Sequence, residues 1–159
     1  MSQTDRKIVD ILLVEDNPGD VRLTEEALQE GKVRINLVSV ADGEEAMEFL
    51  RKKGRHPGAF RPDLILLDLN LPKKNGFEVL GEIKTDEELK IIPVVVLTTS
   101  QAEEDIIESY HLQANAYISK PVDLVQFLSV VKAIEDFWIE IVKLPVSKTP
   151  RIDPPPKPG

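Results

Sequence analysis

Five short apolar runs divide the chain: Ile8 to Val14, Ile35 to Val40, Leu64 to Leu67, Val94 to Leu97 and Ala116 to Ile118. Each is of strand length, and several are unbroken rather than alternating, as strands read when a parallel sheet is covered on both faces. Helical spacing fills the segments between them. Pro18 to Glu30 sets Val21, Leu23, Ala27 and Leu28 among charges, with Gly31 as the expected stop. Ala46, Met47, Phe49 and Leu50 mark a second helix ending near Gly54, and Phe77, Val79, Leu80 and Ile83 a third after the turn residues Asn75 and Gly76. Ile106, Ile107, Tyr110 and Leu112 mark a fourth; Val122 to Leu144 is the fifth and longest, stopped by Pro145. Strand and helix alternate five times, so the economical fold is α/β, a doubly wound five-stranded parallel sheet with helices on both faces.

Residues 1–145 are expected to form one domain with an extended last helix. Within it, Lys52 to Pro62, rich in Gly, Pro and Arg, reads as a long surface loop before the third strand. Residues 146–159 form a proline-rich tail with little to pack, expected to be disordered or polyproline-like.

Composition narrows the chemistry. Cysteine is absent, which excludes thiol catalysis, zinc–thiolate sites and disulfides and suits a reducing cytoplasm. No stretch approaches a signal peptide core or a membrane span, so a cytoplasmic protein with no membrane partner is expected. A formal charge of -8 argues against nucleic acid and for protein partners. His56 and His111 are the two histidines and lie far apart, which disfavours a histidine metal cluster or a serine triad.

In an open parallel sheet, ligands bind beyond the carboxyl ends of the strands, where strand order reverses. That rule selects Glu15 and Asp16 after the first strand, Asp68 at the end of the third, Thr98 and Thr99 after the fourth, and Lys120 after the fifth. Asp16 and Asp68 brought together would repel, raising a pKa or recruiting a cation. Oxygen ligands without sulfur or imidazole favour a hard ion, so Mg2+ is the expected metal. An Asp68 oxygen could then attack a phosphoryl group, with Lys120 as counter-charge and the Thr98 hydroxyl as donor. Each residue alone has a bland reading: Asp16 or Asn17 caps a helix, Asp68 opens a turn, Thr98 and Thr99 end a strand. Their occurrence at successive strand ends favours the joint one.

ILLVEDNP, LILLDLNLPKKNG, PVVVLTTS and AYISKPV together resemble the receiver domains of two-component response regulators, over about residues 7 to 135. The resemblance implies strand order 2-1-3-4-5, as in flavodoxin, and transfer of a phosphoryl group from a sensor histidine kinase to Asp68. It implies Asp16 as a direct Mg2+ ligand, Glu15 as one acting through water, and the Asn70 backbone carbonyl as a further contact. It also implies a cis bond between Lys120 and Pro121, and a switch in which Thr98 moves toward the phosphoryl group as Tyr117 turns inward. Such a protein promotes its own phosphorylation and dephosphorylation without being an enzyme on outside substrates.

Within that family the LDLNLPKKNG segment, the loop before the third strand and the ending AIEDFWIEIVKLP look most like stand-alone regulators associated with bacterial phytochromes. A phytochrome is therefore a candidate kinase, and a downstream phosphotransfer or output protein is expected, since no output domain follows the last helix. Thr99 departs from the small Ala or Gly common at that position. The last helix departs too: two adjacent apolar stripes exceed the roughly 100° that one core contact needs. Phe137, Trp138 and Ile141 are thus expected to bury against a second copy, making a homodimer. A haloacid-dehalogenase-like phosphatase would need an acid where Asn70 stands, and a nucleotide-binding module would need a phosphate loop where VEDNPGD offers acids.

Overall fold

The computed structural model of the chain describes residues 8–30 and 34–134. Within them run β1 (Val9–Val14), α1 (Pro18–Gln29), β2 (Ile35–Val40), α2 (Gly43–Arg51), β3 (Leu64–Asp68), α3 (Gly76–Thr85), β4 (Val94–Thr98), α4 (Gln101–Ser109), β5 (Ala116–Ser119) and α5 (Leu124–Ile134). The strands form one five-stranded parallel sheet in the order β2-β1-β3-β4-β5, as expected. Gly31, the tail and the candidate dimer residues Phe137, Trp138 and Ile141 lie outside the described residues.

Period-two alternation sorts each central strand between two cores. Leu12, Val14, Ile65, Leu67, Val94 and Val96 face one way, against Ala46 and Phe49 of α2, Val79, Leu80 and Ile83 of α3 and Ile107 of α4. Ile11, Leu13, Leu64, Leu66, Val95 and Leu97 face the other way, against Leu28 of α1 and Phe127 of α5. Both neighbours of an unbroken apolar strand are thus used, and each fully buried Leu or Ile contributes about 1.5–3 kcal/mol.

Helix ends follow local chemistry. Asn17 caps α1, its Oδ1 accepting from the Asp20 amide at 3.0 Å with Pro18 in the first helical position. Asn75 and Glu78 form a capping box at α3. The fourth helix is shorter than its apolar spacing suggests: His111 takes a left-handed φ of 59° and ends it, so Tyr110 and Leu112 fall beyond it. Leu112 nevertheless packs on the core from the following loop. The fifth helix begins at Leu124 rather than Val122, because Asp123 Oδ1 accepts from the Gln126 amide at 2.8 Å. Val122 and Phe127 are both buried in one cluster, spaced as a hydrophobic staple around that cap.

The loop between α2 and β3 is pinned to α2. Arg55 Nε lies 2.7 Å from Glu48 Oε1 and His56 Nε2 lies 2.8 Å from Glu45 Oε2, while Phe49 meets Phe60 edge-on at 5.1 Å. On the other side of α3, the Lys84 ammonium donates to the carbonyls of Ile92 at 3.0 Å and Lys90 at 3.2 Å and to Asn115 Oδ1 at 3.1 Å. Burial pushes its pKa down to about 8. Asn115 Oδ1 also accepts from the Val94 amide at 2.8 Å, so this group fixes where β4 and β5 begin, and with them where their carboxyl ends fall.

Candidate functional site

From β1 the chain turns to one edge strand, β2, and then crosses back to β3 on the opposite side of β1. The connections leaving β1 and β3 therefore diverge and open a crevice at the carboxyl edge. Register carries this to single residues. Val14 pairs with Leu67, so Glu15 and Asp68 are the next residues along adjacent strands. Asp68 pairs with Leu97, and Thr98 with Ser119, which brings Lys120 to the same edge.

Carboxylate oxygens of Glu15, Asp16 and Asp68 lie within 4.8 Å of one another. Glu15 and Asp68 are buried, and Asp16 is exposed. Lys120 closes the cluster: its Nζ stands 2.9 Å from Asp20 Oδ2, 3.0 Å from Glu15 Oε1 and 3.7 Å from Asp68 Oδ1. The Lys120–Pro121 bond is cis, and the Lys120 amide donates to the Thr98 carbonyl at 2.9 Å. Thr98 is buried, Thr99 is exposed, and Tyr117 is half-buried against the α2–α4 core.

Backbone fit holds Asp68 in place. A Cβ on Gly76 would stand 2.4 Å from the Asp68 carbonyl oxygen and 2.5 Å from Leu69 Cα, so a side chain there would displace the backbone that carries the aspartate. The Asn70 amide lies 3.5 Å from Asp68 Oδ1, at the limit of a hydrogen bond.

Burial pushes Glu15 up to about 7, with Asp68 adding repulsion and Lys120 pulling back. Asp68 is raised by the same desolvation, offset in part by the Lys120 charge and the Asn70 amide. Burial also works against the Lys120 ammonium, yet Asp20, Glu15 and Asp68 together hold its pKa above the usual lysine value. The site therefore stores unfavourable negative charge that one lysine only partly neutralises.

A divalent cation fits this arrangement. The buried Glu15 Oε1 has the Lys120 ammonium at 3.0 Å, a cation it shares with Asp20 and Asp68. The donors are all oxygens, as a hard ion requires. Asp16 supplies a solvent-facing oxygen beside the two buried carboxylates. A cleft of about 370 Å³ bordered by Lys84, Glu108, Leu112, Asn115 and Tyr117 lies apart from these residues and holds no such cluster.

Two residues at the site escaped the sequence reading. Asp20 lies in the first turn of α1, and its partner Lys120 comes from a distant segment. Glu103, in the first turn of α4, reaches back four residues to Thr99 and across to Asn70, a distant segment that local spacing does not reveal.

The chain belongs to the receiver domains of response regulators: the model described as the response regulator receiver domain matches residues 11–132, from β1 into α5. Members of this family are phosphoryl-accepting signalling switches, typically phosphorylated on aspartate, that bind a divalent metal and work with histidine kinases. Among individual relatives, Response regulator Rcp1 of Synechocystis sp. is 50% identical over 137 residues, covering 86% of this chain and 93% of the relative. The crystal structure of the phosphorylated cyanobacterial phytochrome response regulator RcpA aligns with a TM-score of 0.68 at 55% identity, over 89% of this chain and 99% of that one. The Mn2+-bound form of response regulator Rcp1 aligns with a TM-score of 0.67 at 50% identity, over 88% and 99%. The chain is thus a response regulator homologous to phytochrome-associated regulators. No helix among the described residues is long and apolar enough to cross a membrane.

Proposed function

We propose that this protein is a switch that takes a phosphoryl group from the phosphohistidine of a sensor kinase onto Asp68. The observation that carries the proposal is the convergence of Glu15, Asp16 and Lys120 on Asp68, the buried aspartate at the end of β3. Asp16, Asp68 and the Asn70 carbonyl would hold Mg2+, with Glu15 acting through water. When bound, the ion supplies positive charge against the carboxylates and the phosphoryl oxygens.

The protein's own residues do the rest. An Asp68 oxygen forms a bond to phosphorus while the phosphorus–nitrogen bond breaks, the imidazole nitrogen leaving with the electron pair. Lys120 neutralises charge spread over the phosphoryl oxygens, and the Thr98 hydroxyl donates to one of them. In the reverse sense of signalling, water bonds to phosphorus as the bond from phosphorus to the Asp68 oxygen breaks, which releases inorganic phosphate and regenerates the carboxylate. The protein promotes both steps on itself. Thr99, the exposed neighbour of Thr98, sets how readily water enters, and Pro121 holds the turn that presents Lys120.

Thr98 and Tyr117 then shift a two-state equilibrium toward a form with a changed surface on the β4–α4 and β5–α5 units. The kinase is a bacterial phytochrome in this reading, supported by the likeness to the cyanobacterial phytochrome response regulator RcpA. Incubation with Mg2+ and a small acyl phosphate tests the central step: intact mass should show one phosphoryl adduct, lost when a chelator is present. An unchanged mass at saturating Mg2+ would refute it.

The downstream arm is a protein contact, either a phosphotransfer or output protein or a second copy of this chain. Ile106 on α4 and Val125 and Leu128 on α5 are exposed, Val125 to 79%, which supports a contact on this side. The homodimer would extend it through Phe137, Trp138 and Ile141. Sedimentation should show a dimer at micromolar concentration; a monomer with and without phosphorylation would exclude it.

A further inference from the structure

Glu103 lies in the first turn of α4, three residues past the N-cap Ser100, whose side chain makes no capping bond. Its carboxylate turns back toward the acidic edge. Oε1 accepts from the Thr99 amide at 2.9 Å; Oε2 accepts from the Asn70 side-chain amide at 3.2 Å and lies 3.4 Å from the Thr99 hydroxyl. A capping box would run to the Ser100 amide, so even the bond to Thr99 reaches past the helix start. The reach to Asn70, 33 residues away in sequence, ties the loop after β3 to the loop after β4. Those are the segments that leave Asp68 and Thr98, and Asn70 is the residue whose backbone amide faces Asp68 Oδ1.

We propose that Glu103 is a specificity-determining residue of the phosphoacceptor site, whose carboxylate across the mouth disfavours small anionic phosphodonors. This rests on the assignment of Asp68 as acceptor. A small acyl phosphate carries about two negative charges and has no protein surface whose docking could offset repulsion. One carboxylate beside its path, in a largely aqueous dielectric, slows such a donor about three- to tenfold, less as salt rises. The reaction affected is simple: an Asp68 oxygen bonds to phosphorus, the bond from phosphorus to the acetyl oxygen breaks, and acetate leaves with the electron pair.

The test follows adduct formation by intact mass, at saturating Mg2+ and at low and high salt, with acetyl phosphate and with the less negatively charged phosphoramidate. Glu103→Gln keeps an acceptor for the Thr99 amide and removes the charge; Glu103→Ala removes both. Glu103→Gln should react with acetyl phosphate about three- to tenfold faster than the parent at low salt. Its gain with phosphoramidate should be smaller, its salt dependence flatter and its melting temperature unchanged. Equal rates for Glu103→Gln and parent, an equal gain with both donors, or acceleration in Glu103→Ala alone would overturn the charge assignment. Failure of the parent to gain any adduct from either donor would instead overturn Asp68 as acceptor, a separate result.

Discussion

Asp68→Asn is expected to abolish phosphoryl acceptance, a loss of roughly 10⁴-fold or more, as when a nucleophile is removed from a group-transfer site. Asparagine keeps the shape and can still meet the Asn70 amide and Lys120, but it offers no anionic oxygen to phosphorus. The fold should not suffer. Burial raises the Asp68 pKa above 3.8, so folding disfavours the ionised form relative to the unfolded chain. A raised carboxyl contributes stability that is complete below its unfolded pKa and is lost as pH rises through its folded pKa. At neutral pH the ionised Asp68 is thus a burden on the metal-free fold, and the neutral amide should melt at the same temperature or higher. Intact mass after acyl phosphate treatment, paired with a thermal melt, reads both effects. An adduct of unchanged yield on the Asp68→Asn variant would move the acceptor to another carboxylate.

Lys120→Met is expected to act in opposite directions on transfer and on metal binding. Its ammonium contacts Asp20 and Glu15 and faces Asp68, so it is the cation these three carboxylates share. Methionine conserves much of the stem's packing and removes the charge. Phosphoryl transfer should fall about 10²- to 10³-fold, the usual cost of losing one charge-stabilising donor. Divalent affinity should rise roughly tenfold, because a cation next to the carboxylates no longer competes with the ion. Without metal the variant should lose about 2–3 kcal/mol of stability, less than for a wholly buried pair because Asp20 is partly open to water. Mg2+ should restore most of that loss. Single-turnover phosphorylation, a Mg2+ titration and melts with and without the ion separate the three; a parallel fall in transfer and affinity would show that Lys120 only maintains local structure.

The sheet was legible because β3 and β4 are unbroken apolar runs whose neighbours on both faces are helices. Alternation could not order the strands, since order depends on crossovers that leave no local pattern; the likeness to receivers supplied it. Glu15, Asp16, Asp68, Thr98 and Lys120 were legible for a topological reason: every strand of a parallel sheet ends at the same edge, so strand-end residues are forced together. Helix limits were less readable. Tyr110 and Leu112 kept the helical period although His111 had already broken the helix, because Leu112 packs back on the core from a loop. Val122 looked like a first helical residue although Asp123 caps the helix after it. Asp20 and Glu103 were missed because their partners, Lys120 and Asn70, come from distant segments, and neither pairing has any trace in local spacing.

Anomalous scattering from Mn2+ in crystals of the protein addresses the central claim most directly, namely that a divalent ion rests beside the oxygen that accepts phosphate. One peak should lie in contact with Asp16, Asp68 and the Asn70 carbonyl, with the Lys120 ammonium facing the same aspartate from the other side. A peak bound elsewhere, with Asp16 and Asp68 turned to separate surfaces, would contradict it.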